Sequence, residues 1–224
     1  MERHFFQELE VLKTTLIRMG SLAEEGVAHA VRSLLQRDAE LARQVLEREA
    51  RINAFEVEVD DLVVDLLALQ QPVATDLRFI LAASKINGDL ERIGDHAVNI
   101  AESALLCASL PPISPGVDIA ALAETTKRML KDSIDGFIQR APETCRAVLR
   151  GDDLIDDMHK GVIKGLVEQI RSDPSTLDYA LELMRVSRNL ERVADLATNI
   201  AEDVIFMTEA MVVKHGMGSA GRAS

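Results

Sequence analysis

The chain has no tryptophan, one tyrosine and six phenylalanines among its 224 residues, so aromatics make up 3 % of it. Its apolar share is 47 %, mostly Leu, Val, Ala, Ile and Met, which is enough for a core packed by aliphatic ridges. That composition suits helices and argues against a β-sandwich. Long uncharged runs are also missing: the longest are short or broken by Pro111, Pro112 and Pro115, and none reaches the roughly 20 apolar residues of a membrane span. The opening MERHFFQELE is charged at once and lacks the apolar core of a signal peptide, so a cytoplasmic location without membrane insertion is expected. Cysteine is scarce. Cys107 and Cys145 form no C-x-x-C pair, which supports neither a disulfide framework nor a zinc ribbon and leaves two small buried apolar residues. Positive charge is in deficit, with 25 Lys and Arg against 37 Asp and Glu for a net charge of -12. Nucleic acid, which needs clustered bases against its phosphates, is not an expected partner. Cations or basic protein surfaces fit better.

What is present is helical periodicity, written twice. Leu9, Leu12, Leu16, Met19, Ala23, Val27, Ala30, Val31 and Leu34 recur at steps of three and four and predict one amphipathic helix over residues 5–36. Asp38 is the expected N-cap of a second helix, which ends near Leu69 before Gln70, Gln71 and Pro72. A third should run from Thr75 and Asp76 to about Ala108. Three Pro and a Gly in LPPISPGVD, 110–118, mark the one clear break. Beyond it helices are expected over 118–139, 142–171 and from Pro174 to about Val213, with a disordered Gly- and Ser-rich tail at 214–224. LLQRDAELARQVL at 34–46 reappears as FIQRAPETCRAVL at 137–149, and ERIGDHAVNIAE at 91–102 as ERVADLATNIAE at 191–202. The later repeat has shed three residues, which a turn loses cheaply. The fold class is therefore all-α: two tandem three-helix bundles, six long helices, with bundles at 1–110 and 118–213 joined by a linker at 111–117.

The repeated phrase carries the candidate chemistry. At 100° per residue, Glu91, Asp95, Asn99 and Glu102 fall within roughly 80° of one another, while Ile86, Leu90, Ile93, Ala97, Ile100, Ala101 and Ala104 occupy a separate apolar face. Glu191, Asp195, Asn199 and Glu202 repeat the stripe. Acids four residues apart repel by a few tenths of a kcal/mol, so their retention between the two halves of one chain points to a cation held outside the helix. Arg92 and Arg192 lie beside the stripes, close enough that they could offset some of that repulsion, and the spacing assigns them no task. The second helix offers a matching stripe of Asn53, Glu56 and Asp60. In the later repeat the aligned letters are Asp156, His159 and Ile163, with Asp152 and Asp153 just upstream. Carboxylates and amides on adjacent helices suit Mg²⁺, Mn²⁺ or iron as the divalent or trivalent ion, and His159 tilts the second set towards a transition metal. His96, whose counterpart is Leu196, reads as a flank residue. Gly88 and Gly94 sit within a helical period with no strand before them, so they read as helix-packing positions and not as a phosphate loop.

QQPVATDLR at 70–78, followed by the two phrases, resembles the signature of the PhoU proteins, accessory and regulatory proteins of phosphate-specific uptake, and the duplicated layout extends the resemblance over nearly the whole chain. The resemblance implies side-by-side three-helix bundles and a metal-binding E/D-x-x-x-D motif in each, here Glu91 with Asp95 and Glu191 with Asp195. It implies regulation and no enzymatic turnover: a negative regulator of phosphate uptake and of the phosphate-starvation response. Such a protein links the ATPase subunit of the phosphate ABC transporter to the phosphate sensor histidine kinase, and dimers are common in the family. Two other readings compete. A metal-free helical scaffold keeps the fold and the partners; a di-iron carboxylate redox enzyme wants inward Glu-x-x-His pairs, and the nearest match is Asp156-x-x-His159.

Overall fold

The computed structural model describes residues 2–113 and 116–213, with the side chains of Glu2, Arg3 and Gln70 outside that description. Two linker residues, Ser114 and Pro115, and the tail 214–224 for which disorder was expected also lie outside the described residues. Among the described residues the regular elements are helical: α1 (Glu2–Gln36), α2 (Ala39–Gln70), α3 (Ala74–Ser109), α4 (Ile119–Gln139), α5 (Pro142–Arg150), α6 (Asp152–Ser172) and α7 (Leu177–Glu209), the last preceded by a 3-10 turn at Pro174–Thr176.

Local chemistry sets these boundaries. The Asp38 carboxylate accepts from the N–H groups of Glu40 and Leu41, both at 3.0 Å, and Asp118 accepts from Ala121 N at 2.8 Å. Each satisfies amides that a helix N-terminus would otherwise leave bare. The helix expected over 142–171 is in two pieces. At Gly151 the N–H bonds back to Val148 O at 2.9 Å, three residues instead of four, and the tightened turn restarts the chain as α6 with Asp152 and Asp153 in the first turn, where the helix dipole favours acids. The six-helix plan survives with its fifth member broken.

α1, α2 and α3 pack on one another, as do α4, the α5–α6 pair and α7, and the two bundles lie side by side along α3 and α7. Those two helices run antiparallel: Lys85 meets Asp203, His96 meets Asn189 and Glu102 meets Arg185. One cluster of buried apolar side chains passes through both bundles, with Leu90 and Leu190 at equivalent depths, 1 % and 0 % exposed. A reciprocal clasp also joins the bundles. The α1–α2 turn ends on Arg37 and the α4–α5 turn on Arg140, both left-handed with φ of 54° and 51°. Arg37 lies 5.7 Å over the Tyr179 ring at the start of α7, and Arg140 lies 5.8 Å over the Phe79 ring at the start of α3. Each bundle's first turn thus grips the other bundle's third helix. Arg37 also donates to the carbonyls of Ala108 at 3.1 Å and Leu110 at 2.6 Å. Cys107 and Cys145 are fully buried and unpaired, and burial pushes both thiols up to about 11. They stay protonated packing residues.

Candidate functional site

The duplicated phrases lie on α3 and α7, so antiparallel packing sets them beside each other along the seam between bundles. The four stripe residues of α3 divide between two neighbours. Glu91 and Asp95 keep company with α2: burial raises the Glu91 carboxyl above its ordinary value, and the charges of Asp95 and then Glu56 raise it further, against the lowering effect of Arg92. One turn earlier, Asn87 donates from its amide nitrogen to Glu56 O and to Asp60 Oδ1, both at 3.0 Å. Glu56, Asp60, Glu91 and Asp95 therefore collect along the α2–α3 seam. Asn53 lies on the exposed side of α2, and among the described residues no hydrogen bond joins it to this group. Asn99 and Glu102 turn the other way, accepting from Arg185 Nη2 at 3.0 Å and 2.6 Å. The single stripe drawn on a helical wheel is divided because α3 has bundle-mates on one flank and α7 on the other.

In the second bundle Asp152, Asp156, Glu191, Asp195 and Asn199 line one open pocket of about 650 Å³, to which α3 contributes Arg92 and His96. His159 meets α7 one turn earlier, its Nδ1 2.8 Å from Ser187 Oγ. Arg192 donates to Asp195 at 2.8 Å, and Glu191 faces Arg188 at 3.6 Å and Arg192 at 3.8 Å. One Glu191 oxygen is nevertheless buried without a hydrogen-bond partner. Among the described residues no three His, Cys, Asp or Glu side chains stand together as a formed metal cage.

A second pocket, of about 490 Å³, opens between the helices and is lined by Ser84, Lys85, Gly88, Asp89 and Arg92 of α3 with Asn199, Glu202 and Asp203 of α7. Asp89 and Asp203 face each other there. Burial first and the Asp203 charge second raise Asp89 to about 6, against Arg92, a hydrogen bond from Asn199 and Lys85. Lys85 binds Asp203 at 2.8 Å. His96, read as a flank residue, sits in the seam with Nδ1 2.8 Å from Asn189 Oδ1. The packing reading holds for Gly94, where an added Cβ would meet Ile52 at 2.9 Å, but not for Gly88, where it would meet nothing within 4 Å.

Sequence reasoning missed Asn87, Lys85, Asp89, Arg185 and Asp203. Asn87 was within reach, because extending the stripe one turn back from Glu91 lands on it. Its remaining oxygen is buried and has no hydrogen-bond partner among the described residues. The other four depend on how α3 meets α7, which no helical period encodes.

This arrangement of duplicated bundles matches known proteins. The PhoU domain profile fits residues 16–104 and again residues 119–204. The chain belongs to the PhoU family. It is 38 % identical over 210 residues to a phosphate-specific transport system accessory protein PhoU homolog of Aquifex aeolicus, covering 94 % of this chain and 95 % of that one. Identity to the homolog of Pseudomonas putida is 35 % over 216 residues, 96 % and 84 % of the two chains. The crystal structure of PhoU from Pseudomonas aeruginosa superposes with a TM-score of 0.89 at 34 % identity, over 92 % of this chain and all of that one. The phosphate transport system regulatory protein PhoU of Streptococcus pneumoniae gives 0.86 at 24 % identity, over 94 % of this chain and 99 % of that one, and supports the fold. PhoU relatives bear the names of accessory and regulatory proteins, and the chain stands with them as a non-enzyme.

Proposed function

We propose that the chain is the accessory regulator of a phosphate-specific transport system, a negative regulator of phosphate uptake and of the phosphate-starvation response. Its partners on this reading are the transporter's ATPase subunit and the phosphate sensor histidine kinase, both met in the cytoplasm, with the chain as a homodimer. The observation that carries it is the end-to-end match to the Aquifex aeolicus protein named for that system. No described helix is long and apolar enough to cross a membrane, so contact with membrane-bound machinery falls to surfaces of the bundles. Deleting the gene should leave alkaline phosphatase expressed when phosphate is plentiful; normal repression in the deletion strain sinks the proposal.

The acidic seams fit a cation. Glu56, Glu91 and Asp95 gather along the α2–α3 seam, one turn from a buried amide oxygen of Asn87 that has no hydrogen-bond partner among the described residues, and in the second bundle the buried Glu191 Oε2 has only the longer ion-pair contacts to Arg188 and Arg192, at 3.6 Å and 3.8 Å. Such orphans are costly unless something completes them. Glu56, Asp60, Glu91 and Asp95 would hold an ion in the first bundle, and Asp156, His159, Glu191 and Asp195 in the second. Oxygen donors suit Mg²⁺, Mn²⁺ or iron, and the imidazole adds a transition-metal preference. A bound ion supplies positive charge that offsets the repulsion among these acids. The chain's own part is to hold α2 against α3, and α6 against α7, in the register that brings the acids together. The metal-free scaffold draws support from one contact, the Arg192–Asp195 ion pair, which already neutralises part of the second set.

A further inference from the structure

Positions 88–95 read GDLERIGD and positions 188–195 read RNLERVAD. Two substitutions in this window change which way the basic side chains turn. Arg92 stands three residues after Asp89 and three before Asp95, so either carboxylate is within reach on one helix face. Asp89 is nine-tenths buried in the α3–α7 seam, and it is with Asp89 that Arg92 pairs, at 3.6 Å. At the equivalent place α7 has Asn189. That amide is neutral and already engaged, with its oxygen on His96 and its nitrogen donating to Arg185 O at 2.8 Å. Arg192 has no acid three residues behind it and turns forward onto Asp195 at 2.8 Å. The neighbouring position adds to the effect: Arg188 reaches Glu191 at 3.6 Å, whereas Gly88 has no side chain to offer. Gly88 is not kept small by packing, since a Cβ there meets nothing within 4 Å. Neither Glu91 nor Asp95 forms an ion pair among the described residues.

We infer that Asp89 is a positioning residue that holds Arg92 away from Asp95 and, with Gly88, leaves the Glu91–Asp95 pair open to a divalent cation, while Asn189 and Arg188 let tethered guanidinium groups occupy the second pair. The duplicated sites have become unequal, the first taking the ion more tightly. The inference rests on the cation reading above and specifies which site the ion prefers and what sets the preference.

The test is a Mn²⁺ titration of the full metal-stripped chain by calorimetry, with circular dichroism melts to show that each variant folds. Wild-type protein should show a tighter and a weaker class of sites. Asp89→Asn should weaken the tighter class about tenfold, adding Arg92→Gln should restore it, and Arg192→Gln should tighten the weaker class by a similar factor, ~1.4 kcal/mol each. Gly88→Arg should weaken the tighter class without touching the other. An unchanged tighter class in Asp89→Asn, or no restoration by Arg92→Gln, overturns the inference. Double-mutant cycles in stability on metal-free protein read the arginines without any ion. Arg192 should couple to Asp195, Arg92 should not couple to Asp95, and removing Asp89 should create that coupling. Equal coupling in both bundles overturns the inference even if Mn²⁺ binds. Wild-type protein that takes up no Mn²⁺ sinks the cation reading and leaves the cycles to decide the placement of the arginines.

Discussion

The two bundles share a core and differ at the seam. Leu90 and Leu190 are equally buried, Ile100 and Ile200 likewise, and Arg37 and Arg140 make mirror-image clasps. A few residues away, Asp89 corresponds to Asn189, Gly88 to Arg188 and Asn87 to Ser187. Duplication left packing nearly untouched because a methylene lost from a close-packed interior is costly in either copy. Charges along the groove had more latitude, since most of them are partly solvated and can trade partners with their neighbours. The two copies were able to specialise along the groove and not in the core.

The largest test concerns what is shared. Leu90→Ala and Leu190→Ala should each cost about 2–5 kcal/mol of unfolding free energy, the range for a fully buried leucine. The losses should match within error, and each variant should melt in one transition, because a single apolar cluster spans both bundles. Calorimetry that resolves two transitions, with only the mutated bundle shifted, breaks the claim that the halves fold as one unit.

Next in size is the response to an ion. Mn²⁺ at a hundred times its dissociation constant should stabilise the folded chain by about 2.7 kcal/mol per site. Paired Glu91→Gln and Asp95→Asn changes should abolish most of the shift in melting temperature, and Glu191→Gln with Asp195→Asn a smaller part. Equal losses from the two pairs break the comparison at the sites; no shift in wild-type protein returns both seams to plain acidic surface.

How much of this was legible in the letters follows the same division. Helix identity, the cap at Asp38 and the core faces of α1 and α3 rest on spacing within one segment, and spacing is visible in a sequence. The break at Gly151 was not foreseen, because a single glycine in a helical period is tolerated more often than it interrupts. At the candidate site, the convergence of Glu91 and Asp95 with Glu56 followed from two helical wheels. The diversion of Asn99 and Glu102 to Arg185 did not, nor did the pairing of Asp89 with Asp203, since both depend on a partner helix whose register is a tertiary fact. The task of Arg92 and Arg192 was unreadable for that reason, although the letters that decide it, Asp89 and Asn189, stand only three residues away.

A smaller effect should appear in the pH dependence of stability. The Asp89 carboxyl is raised from an ordinary 3.8 to about 6 in the folded chain, so the native state holds this proton more tightly than the unfolded state does. Stability from this group is full below the unfolded value and declines as pH rises through about 6. Asp203 is shifted in the same direction, by burial against the hydrogen bond and charge of Lys85. Melting temperatures taken from pH 4 to 7 should fall more steeply for wild-type protein than for Asp89→Asn, whose Asn189-like side chain does not titrate. A variant curve parallel to wild type breaks the assignment of the decline to this seam.

The smallest effect separates two glycines that look alike in the sequence. Gly88 and Gly94 both lie inside α3, and an interior helical glycine costs about 0.5–1 kcal/mol relative to alanine through backbone entropy. At Gly88 the space is open, so Gly88→Ala should recover that amount and raise the melting temperature. At Gly94 the new methyl would lie 2.9 Å from Ile52 Cδ1 and 3.3 Å from Ile52 Cγ2, so the isoleucine must give way before any gain appears. The counterpart of Gly94 is Ala194, fully buried and accommodated, which shows that the position itself admits a methyl group when the facing side chain suits it. Gly94→Ala alone should therefore be destabilising, and Ile52→Val added to it should recover part of the loss by removing a methyl from the clash. A stabilising Gly94→Ala shows that Ile52 yields freely; a neutral Gly88→Ala shows that the empty space over Gly88 is not where its cost lies.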